Sequence, residues 1–364
     1  MVRQYHLLCL EGLRFLKRRV RVAFSGVKKY PGNAEKICRQ VIEDCWNGKY
    51  FQTSTGNFSE FYIRDFGWCI DSLLELGYRD KVLKTLEYAL SKYSKKRLTT
   101  TITPSGKCLD VFDYAPDSLA YLLRSLRIAK AKKLVNKYRL FLNKETRRFL
   151  WTVVDKDTGL VREDRHFSSM KDSSLKRGSC YDNVMLAVVS RELDMLGLAN
   201  PFRKWKYYAA RILKNFWNGK YFFDDVNKEN SVYGDNVAVP FWLDIIKDKG
   251  MLKKSIESAR KAGLDKPFPL KYSSKKLRRM NILTRFFAGG YQDRTVWMNI
   301  GPMFAQIMKK VDKKLAASYK KKYKEVIEKN SNFLEVYDEK GNPYRTLFYY
   351  SDEGMIWAAN YLTL

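Results

Sequence analysis

Residues Phe333–Leu364 combine a carboxylate with a support that can present it. They read as a strand carrying Glu335, a turn at Lys340-Gly341-Asn342-Pro343, a return strand and a short apolar helix. Six times along the chain an aromatic residue leads into an Asp and then an apolar helix. The segments are Tyr62-Ile63-Arg64-Asp65, Tyr114-Ala115-Pro116-Asp117, Tyr181-Asp182, Tyr233-Gly234-Asp235, Tyr291-Gln292-Asp293 and Tyr349-Tyr350-Ser351-Asp352. A carboxylate at a helix start is favoured by capping and by the helix dipole, so each Asp has a structural reason to be there. Gathered in a ring, with Arg, Asn and Trp side chains nearby, they would also suit a polyol. Such groups give bidentate hydrogen bonds to hydroxyls and aromatic plates for the apolar faces of a sugar.

Two opposed carboxyl groups can cleave a glycosidic bond: one protonates the leaving oxygen and the other activates water. Glu335 is the candidate base, because its strand is followed closely by a helix entrance. The segment Phe149–Val161, FLWTVVDKDTGLV, resembles FLEVYDEKGNPY at Phe333–Tyr344, but its equivalent position near Trp151 is not acidic. An acid in only one copy of a repeat points to chemistry rather than capping. Candidate acids lie in Ser168–Asn183, SSMKDSSLKRGSCYDN. Asp182 opens a helix and suits a cap; Asp172, in the loop before it, is free of that duty and is preferred. Competing chemistries lack their motifs: there is no GxGxxG after a strand, no phosphate loop, no HExxH and no GxSxG. The chain has two His, His6 and His166, and six Cys without zinc-ligand spacing. No metal and no organic cofactor is expected.

The elements that must position these groups follow from apolar periodicity. Apolar residues recur at helical spacing in about a dozen segments, in which charged helices alternate with helices apolar on most faces. The apolar ones are expected near Asp65–Leu76, Asp117–Ile128, Asp182–Leu196, Asp235–Ile246, Thr295–Met308 and Glu353–Leu362. Helices apolar all round belong inside something. The motif WNGKYF occurs at Trp46–Phe51 and again, letter for letter, at Trp217–Phe222. Each copy precedes a β-like stretch and an acidic helix entrance, which signals an internal repeat of three helix pairs. Six pairs, apolar inside and charged outside, make an all-α (α/α)6 barrel with short β-hairpins in its loops. Residues 31–364 are expected to form this single domain, after a basic amphipathic segment at 1–30. Asp265–Ile282, with its prolines and lysines, reads as a long loop of the kind that often serves function.

The formal net charge is +30, with 45% hydrophobic and 15% aromatic residues. The lysines are spread over many helices, as in Met308–Lys329, which reads as solvated faces rather than a nucleic-acid stripe. No run reaches the roughly 18 apolar residues of a membrane-spanning helix. The N-terminal stretch lacks a signal-peptide cleavage pattern and can make at most weak contact with a membrane surface. The expected location is cytoplasmic.

Several of these motifs together resemble the six-hairpin glycosidases: glucoamylases, the amylo-1,6-glucosidase domain of glycogen-debranching enzymes, and neutral invertases. Glu335-Val336-Tyr337-Asp338, the turn, and Gly354-Met355-Ile356-Trp357-Ala358-Ala359 resemble the family's E-x-Y-D…W-S-x-A ending, in which the Glu is the general base. Tyr62-Ile63-Arg64-Asp65-Phe66 resembles the R-D-x motif whose Arg and Asp bind the substrate sugar. Met170-Lys171-Asp172-Ser173 resembles the W-M-D-A loop that supplies the general acid. Arg294-Thr295-Val296-Trp297 resembles the motif with a sugar-facing Trp. The resemblance spans about residues 45–364. It departs where the family's Ser follows Trp357 and where Ser169 replaces the Trp of the acid loop. It implies an inverting, exo-acting hydrolase of an α-linked glucoside or short oligosaccharide, with Asp172 as acid and Glu335 as base. Arg64, Asp65, Trp68, Asp117, Asp235, Asp293, Arg294, Trp297 and Trp357 would line the pocket. The same barrel also hosts phosphorylases and epimerases, and Arg162, Arg165 and Arg177 are the cations available for a phosphate. A reading of a different class is a non-catalytic basic protein that binds RNA or anionic membrane.

Overall fold

The computed structural model describes residues 5–110, 113–171, 174–277, 279 and 288–364. In chain order the helices are α1 (Tyr5–Ser25), α2 (Ala34–Asp44), α3 (Ile63–Glu75), α4 (Arg79–Tyr93), α5 (Asp117–Ile128), α6 (Lys132–Lys137) and α7 (Arg139–Val153). They continue as α8 (Cys180–Leu196), α9 (Trp205–Phe216), α10 (Gly234–Trp242), α11 (Lys249–Lys261), α12 (Ile300–Met308), α13 (Lys313–Asn330) and α14 (Ala358–Leu362). Five two-residue strands accompany them: β1 (Phe61–Tyr62), β2 (Thr101–Ile102), β3 (Cys108–Leu109), β4 (Val296–Trp297) and β5 (Val336–Tyr337).

The inner layer is a closed ring. Helix α3 packs on α5, α5 on α8, α8 on α10, α10 on α12, α12 on α14, and α14 back on α3. These are the helices whose sequences are apolar on most faces; in α8 even Asp182, Asn183, Ser190 and Glu192 are buried. The outer helices α2, α4, α7, α9, α11 and α13 each bury one face against an inner partner. In α13 the buried residues are Ala316, Tyr319, Tyr323 and Ile327, at helical spacing, while Lys313, Lys314, Lys321, Lys324 and Lys329 are exposed. The architecture is therefore an all-α (α/α)6 barrel.

The internal repeat has a common geometry. Asn47 Oδ1 accepts from the amides of Lys49 and Tyr50, both at 3.0 Å, and Asn218 Oδ1 accepts from Lys220 and Tyr221 at 3.0 and 2.9 Å. The turn needs a left-handed residue, supplied by Gly48 (φ 87°) and Gly219 (φ 91°). Trp46 then bridges Phe51, and Trp217 bridges Phe222.

Four local expectations change. The entrance aspartates Asp65, Asp117, Asp182 and Asp235 lie within the first helical turn, where the dipole favours them, and the N-caps are Tyr62, Pro116, Ser179 and Tyr233. Thr295–Met308 is not one helix. Val296 and Trp297 pair antiparallel with Tyr337 and Val336, and the helix begins after Asn299, whose side chain accepts from the amide of Ile300 at 2.7 Å. Phe149–Val153 closes α7 rather than opening a hairpin, because Leu142, Phe149 and Val153 already form its buried stripe. Position 151 is thus helical and gives no structural counterpart to Glu335. The last helix is shorter than expected: residues 354–357 turn at Gly354 (φ 64°), where an added Cβ would meet Thr55 Oγ1 at 2.0 Å.

Helix α1 is held by its cations. Arg18 is 7% exposed and donates to the carbonyls of Tyr350 and Ser351 at 3.1 and 3.3 Å. It also lies 3.4 Å from Asp352 and 3.5 Å from Glu353, while Arg21 bonds Glu353 at 2.5 Å and Arg14 pairs with Glu60. Leu13, Leu16, Val20 and Phe24 are left facing outward. Among the described residues no helix is long and apolar enough to cross a membrane.

Candidate active site

The β4–β5 pair sets Trp297 opposite Val336, so the backbone of Glu335 lies against that of Met298. The amide of Met298 donates to the carbonyl of Glu335 at 3.0 Å, and the amide of Glu335 donates to the carbonyl of Asp352 at 3.0 Å. The Glu335 backbone is therefore clamped from both sides, on a support far stiffer than a free loop. Its carboxyl group is buried and accepts three hydrogen bonds. The Tyr291 hydroxyl donates to Oε1; the Tyr349 hydroxyl at 2.5 Å and the Asp352 amide at 3.2 Å donate to Oε2. Burial, reinforced by the nearby Asp352 carboxylate, pushes its pKa up to about 7, although the two phenols favour the ionised form.

From Glu335 a run of aromatic contacts passes from β4 to the start of α14 and on to α3 and α5. Tyr349 and Tyr291 have ring centroids 5.1 Å apart, Tyr291 and Trp297 4.7 Å, Trp297 and Trp357 6.5 Å, and Trp357 and Trp68 6.0 Å. Trp68 meets Tyr121 edge to face at 6.2 Å. Polar groups are threaded along it. Trp357 Nε1 donates to Asp65 at 3.1 Å; Arg64 lies 5.7 Å over the Trp68 ring and donates to Asp117 at 3.3 Å; the Tyr181 hydroxyl donates to the same Asp117 oxygen at 3.1 Å. Glu335, Trp297, Trp357, Trp68, Asp65, Arg64 and Asp117 are thus one connected assembly, drawn from both halves of the repeat.

The remaining candidates fall in two groups. Asp182 holds its own loop: the Ser169 hydroxyl donates to one oxygen, and the Ser179 hydroxyl to the other at 2.6 Å, while Ser179 accepts the Asp182 amide at 3.0 Å. Ser179 is thus the N-cap of α8, and its hydroxyl ties down the Asp182 side chain as well. Asp235 is fully buried on α10 and accepts from Lys171 at 3.1 Å. Asp293 accepts the Leu277 amide at 3.0 Å and ties the long loop down. Arg294 turns to a half-exposed pair with Glu339 at 2.8 Å, and Arg162 to an exposed pair with Asp164 at 2.5 Å. Asp172 lies outside the described residues.

Three features escape a reading of the sequence. The hydroxyls of Tyr291 and Tyr349 close on Glu335; the repeated aromatic–Asp pattern marks both tyrosines, but not where their hydroxyls point. Arg18 reaches Asp352 from a segment that reads only as basic and amphipathic. Lys171, fully buried, donates to Asp224 at 2.8 Å as well as to Asp235, and lies 4.1 Å from the Tyr233 ring. Burial works against its charge, but the two carboxylates outweigh it and hold the ammonium protonated.

No protein-family profile and no curated protein sequence matches the chain. Solved structures are similar to it. A GH63 mannosylglycerate hydrolase from Thermus thermophilus, in complex with Tris and D-glycerate, has a TM-score of 0.63 at 12% identity, over 90% of this chain and 98% of that one. A glycosidase variant in complex with glucose has 0.62 at 10% identity, over 97% and 96%. A bacterial glucoamylase complexed with acarbose has 0.61 at 12% identity, over 90% of this chain and 53% of that one. At such identities the likeness is one of backbone path, and it agrees with the closed ring of inner helices: the chain has the six-hairpin (α/α)6-barrel fold that these glycosidases share.

Proposed function

We propose that the protein is a glycoside hydrolase in which Glu335 is the general base and Asp172 the general acid. The observation that carries this reading is the environment of Glu335: a buried carboxyl on a clamped backbone, poised near pH 7, with both oxygens oriented by phenols. A base whose pKa lies near the working pH combines ionisation with proton affinity. In the reaction Glu335 takes a proton from water as the water attacks the anomeric carbon, and the acid protonates the departing glycosidic oxygen. The product anomer is inverted, which requires the two carboxyls about 6.5–9.5 Å apart.

Arg64, Asp65 and Asp117 would hold the hydroxyls of the terminal sugar, with Trp68, Trp297 and Trp357 as its apolar walls. A site walled in this way admits the end of a chain, so the substrate is cut there. An α-linked glucoside or short oligosaccharide is the substrate class; the glucose and acarbose complexes of similar folds support it. The test is hydrolysis of a panel of α- and β-linked disaccharides and oligosaccharides by the wild type and by Glu335→Gln. Release by the wild type with a fall of at least about 100-fold in the variant is expected. Equal release by both proteins would remove Glu335 from its role.

A further inference from the structure

Among the described residues, one buried lysine in this half of the barrel has no hydrogen-bonded counter-ion. Lys176 is 5% exposed, and its Nζ has no hydrogen-bond partner among the described residues. The contrast with Lys171 is direct, since that ammonium is held by two carboxylates. A buried ammonium without a partner is costly, and a native structure keeps one only where something else can compensate it. Lys176 Nζ lies 6.0 Å from the ring of Tyr181, whose hydroxyl bonds Asp117, the partner of Arg64. It is thus one side chain away from the proposed sugar site. Its backbone is fixed there, because the Lys176 amide donates to His166 Nδ1 at 3.3 Å and the Arg177 amide to Asp225 at 3.1 Å.

The charges around it favour an anion. Lys171 and Lys176 both act on Asp224, and together they outweigh burial and keep it ionised. Burial pushes the Asp235 carboxyl up, against the pull of Lys171 and of Lys176. His166 is pushed down, by burial first and by Lys176 second, and Lys176 Nζ is the donor of the group left without a hydrogen bond. The two carboxylates nearest this pair of lysines both bond Lys171, and neither bonds Lys176.

We propose that Lys176 binds an anionic group, a carboxylate or a phosphate, on the leaving-group part of the substrate. The proposal rests on the glycosidase reading for the words "leaving group": Lys176 stands on the loop assigned to the general acid, and an acid meets the substrate on its leaving-group side. The recognised class is then an acidic glycoside, a sugar joined to a small hydroxy acid or to a phosphorylated alcohol. An ammonium is a point-charge donor that suits either anion.

The experiment compares methyl α-glucoside with carboxymethyl α-glucoside and 2-phosphoethyl α-glucoside, as substrates and as ligands in calorimetric titration. The proteins are the wild type, Lys176→Met and Lys176→Arg, with Lys133→Met on the outer surface as control. Wild type and the control are expected to favour at least one anionic glycoside over the neutral one by tenfold or more in kcat/KM or in affinity. Lys176→Met is expected to lose that ratio, and Lys176→Arg to retain most of it. Preference for the carboxylate alone or the phosphate alone identifies the anion. The Met variant removes an uncompensated charge, so its melting temperature should not fall; a folded Met variant that keeps the ratio overturns the proposal, as does a wild type without one. If none of the glycosides is cleaved, the glycosidase reading fails separately, and titration with sodium glycolate and inorganic phosphate decides Lys176: binding lost in the Met variant supports it, and equal or absent binding overturns it.

Discussion

At the scale of single residues, the account turns on the ionisation of Glu335. Its pKa of about 7 predicts an acid limb in the pH dependence of kcat/KM with a midpoint near 7, because the base works only when ionised. Tyr349→Phe removes a donor that favours the ionised form, so the midpoint should move to higher pH; a limb unchanged or moved down would contradict the assignment. The same group carries a stability signature. Its folded pKa lies above the unfolded value of about 4.5, so the protonated form fits the fold better. That stability is fully present below the unfolded pKa and is lost as pH rises through about 7. Glu335→Gln should therefore be more stable than the wild type above pH 8, by on the order of 3 kcal/mol, with the gain fading below pH 5. Denaturant titrations at both pH values would show it. The two candidate acids separate by leaving group. Asp172→Asn should lose activity on alkyl glycosides and keep much of it on nitrophenyl glycosides, whose departure needs no proton. Asp182→Asn disturbs the hydroxyl bonds from Ser169 and Ser179 instead, so it should lower the melting temperature and affect both substrates alike.

At the level of elements, the question is what holds Glu335 in place, and part of the answer is α1. Arg18 pairs with the buried carboxylate Asp352 and shares Glu353 with Arg21, and Asp352 in turn clamps the Glu335 backbone. Arg18→Ala would leave buried negative charge uncompensated, and a loss of about 3–5 kcal/mol is expected in chemical denaturation. A change below about 1 kcal/mol would mean that α1 is only an appendage. This scale also shows what the sequence can disclose. Helices α3, α5 and α8 are legible because their apolar residues run round every face, a pattern only an enclosed helix tolerates. Val296–Trp297 reads as helix from sequence, because an apolar run of that length is ambiguous and its pairing with Val336–Tyr337 is settled some forty residues away. Glu335 is legible as an acid out of keeping with its repeat, although the segment it is compared with is the end of a helix. The aim of the Tyr291 and Tyr349 hydroxyls, and the burial of Lys171 between Asp224 and Asp235, are products of packing between distant segments. No local pattern encodes them.

At the scale of the whole molecule, the two layers divide the labour between chemistry and solvation. The inner ring brings carboxylates, Arg64 and three tryptophans to one centre, while the lysines of the outer helices carry the net charge of +30 into solvent. A surface so charged should adsorb weakly to anionic vesicles at low salt, aided by the outward row Leu13, Leu16, Val20 and Phe24 on α1. Cosedimentation that disappears near physiological salt, and weakens in Leu16→Ser with Phe24→Ser, is the expected result; binding that survives salt would point to a dedicated lipid or nucleic-acid function. The chemistry itself is read from the bond being broken. It is tested most directly by following the first sugar released from an α-linked substrate with anomer-resolved NMR, at times short compared with mutarotation. The account predicts that the β-anomer forms first, and that Glu335→Gln releases neither anomer at a comparable rate. The α-anomer forming first, or unchanged release by the variant, would contradict it.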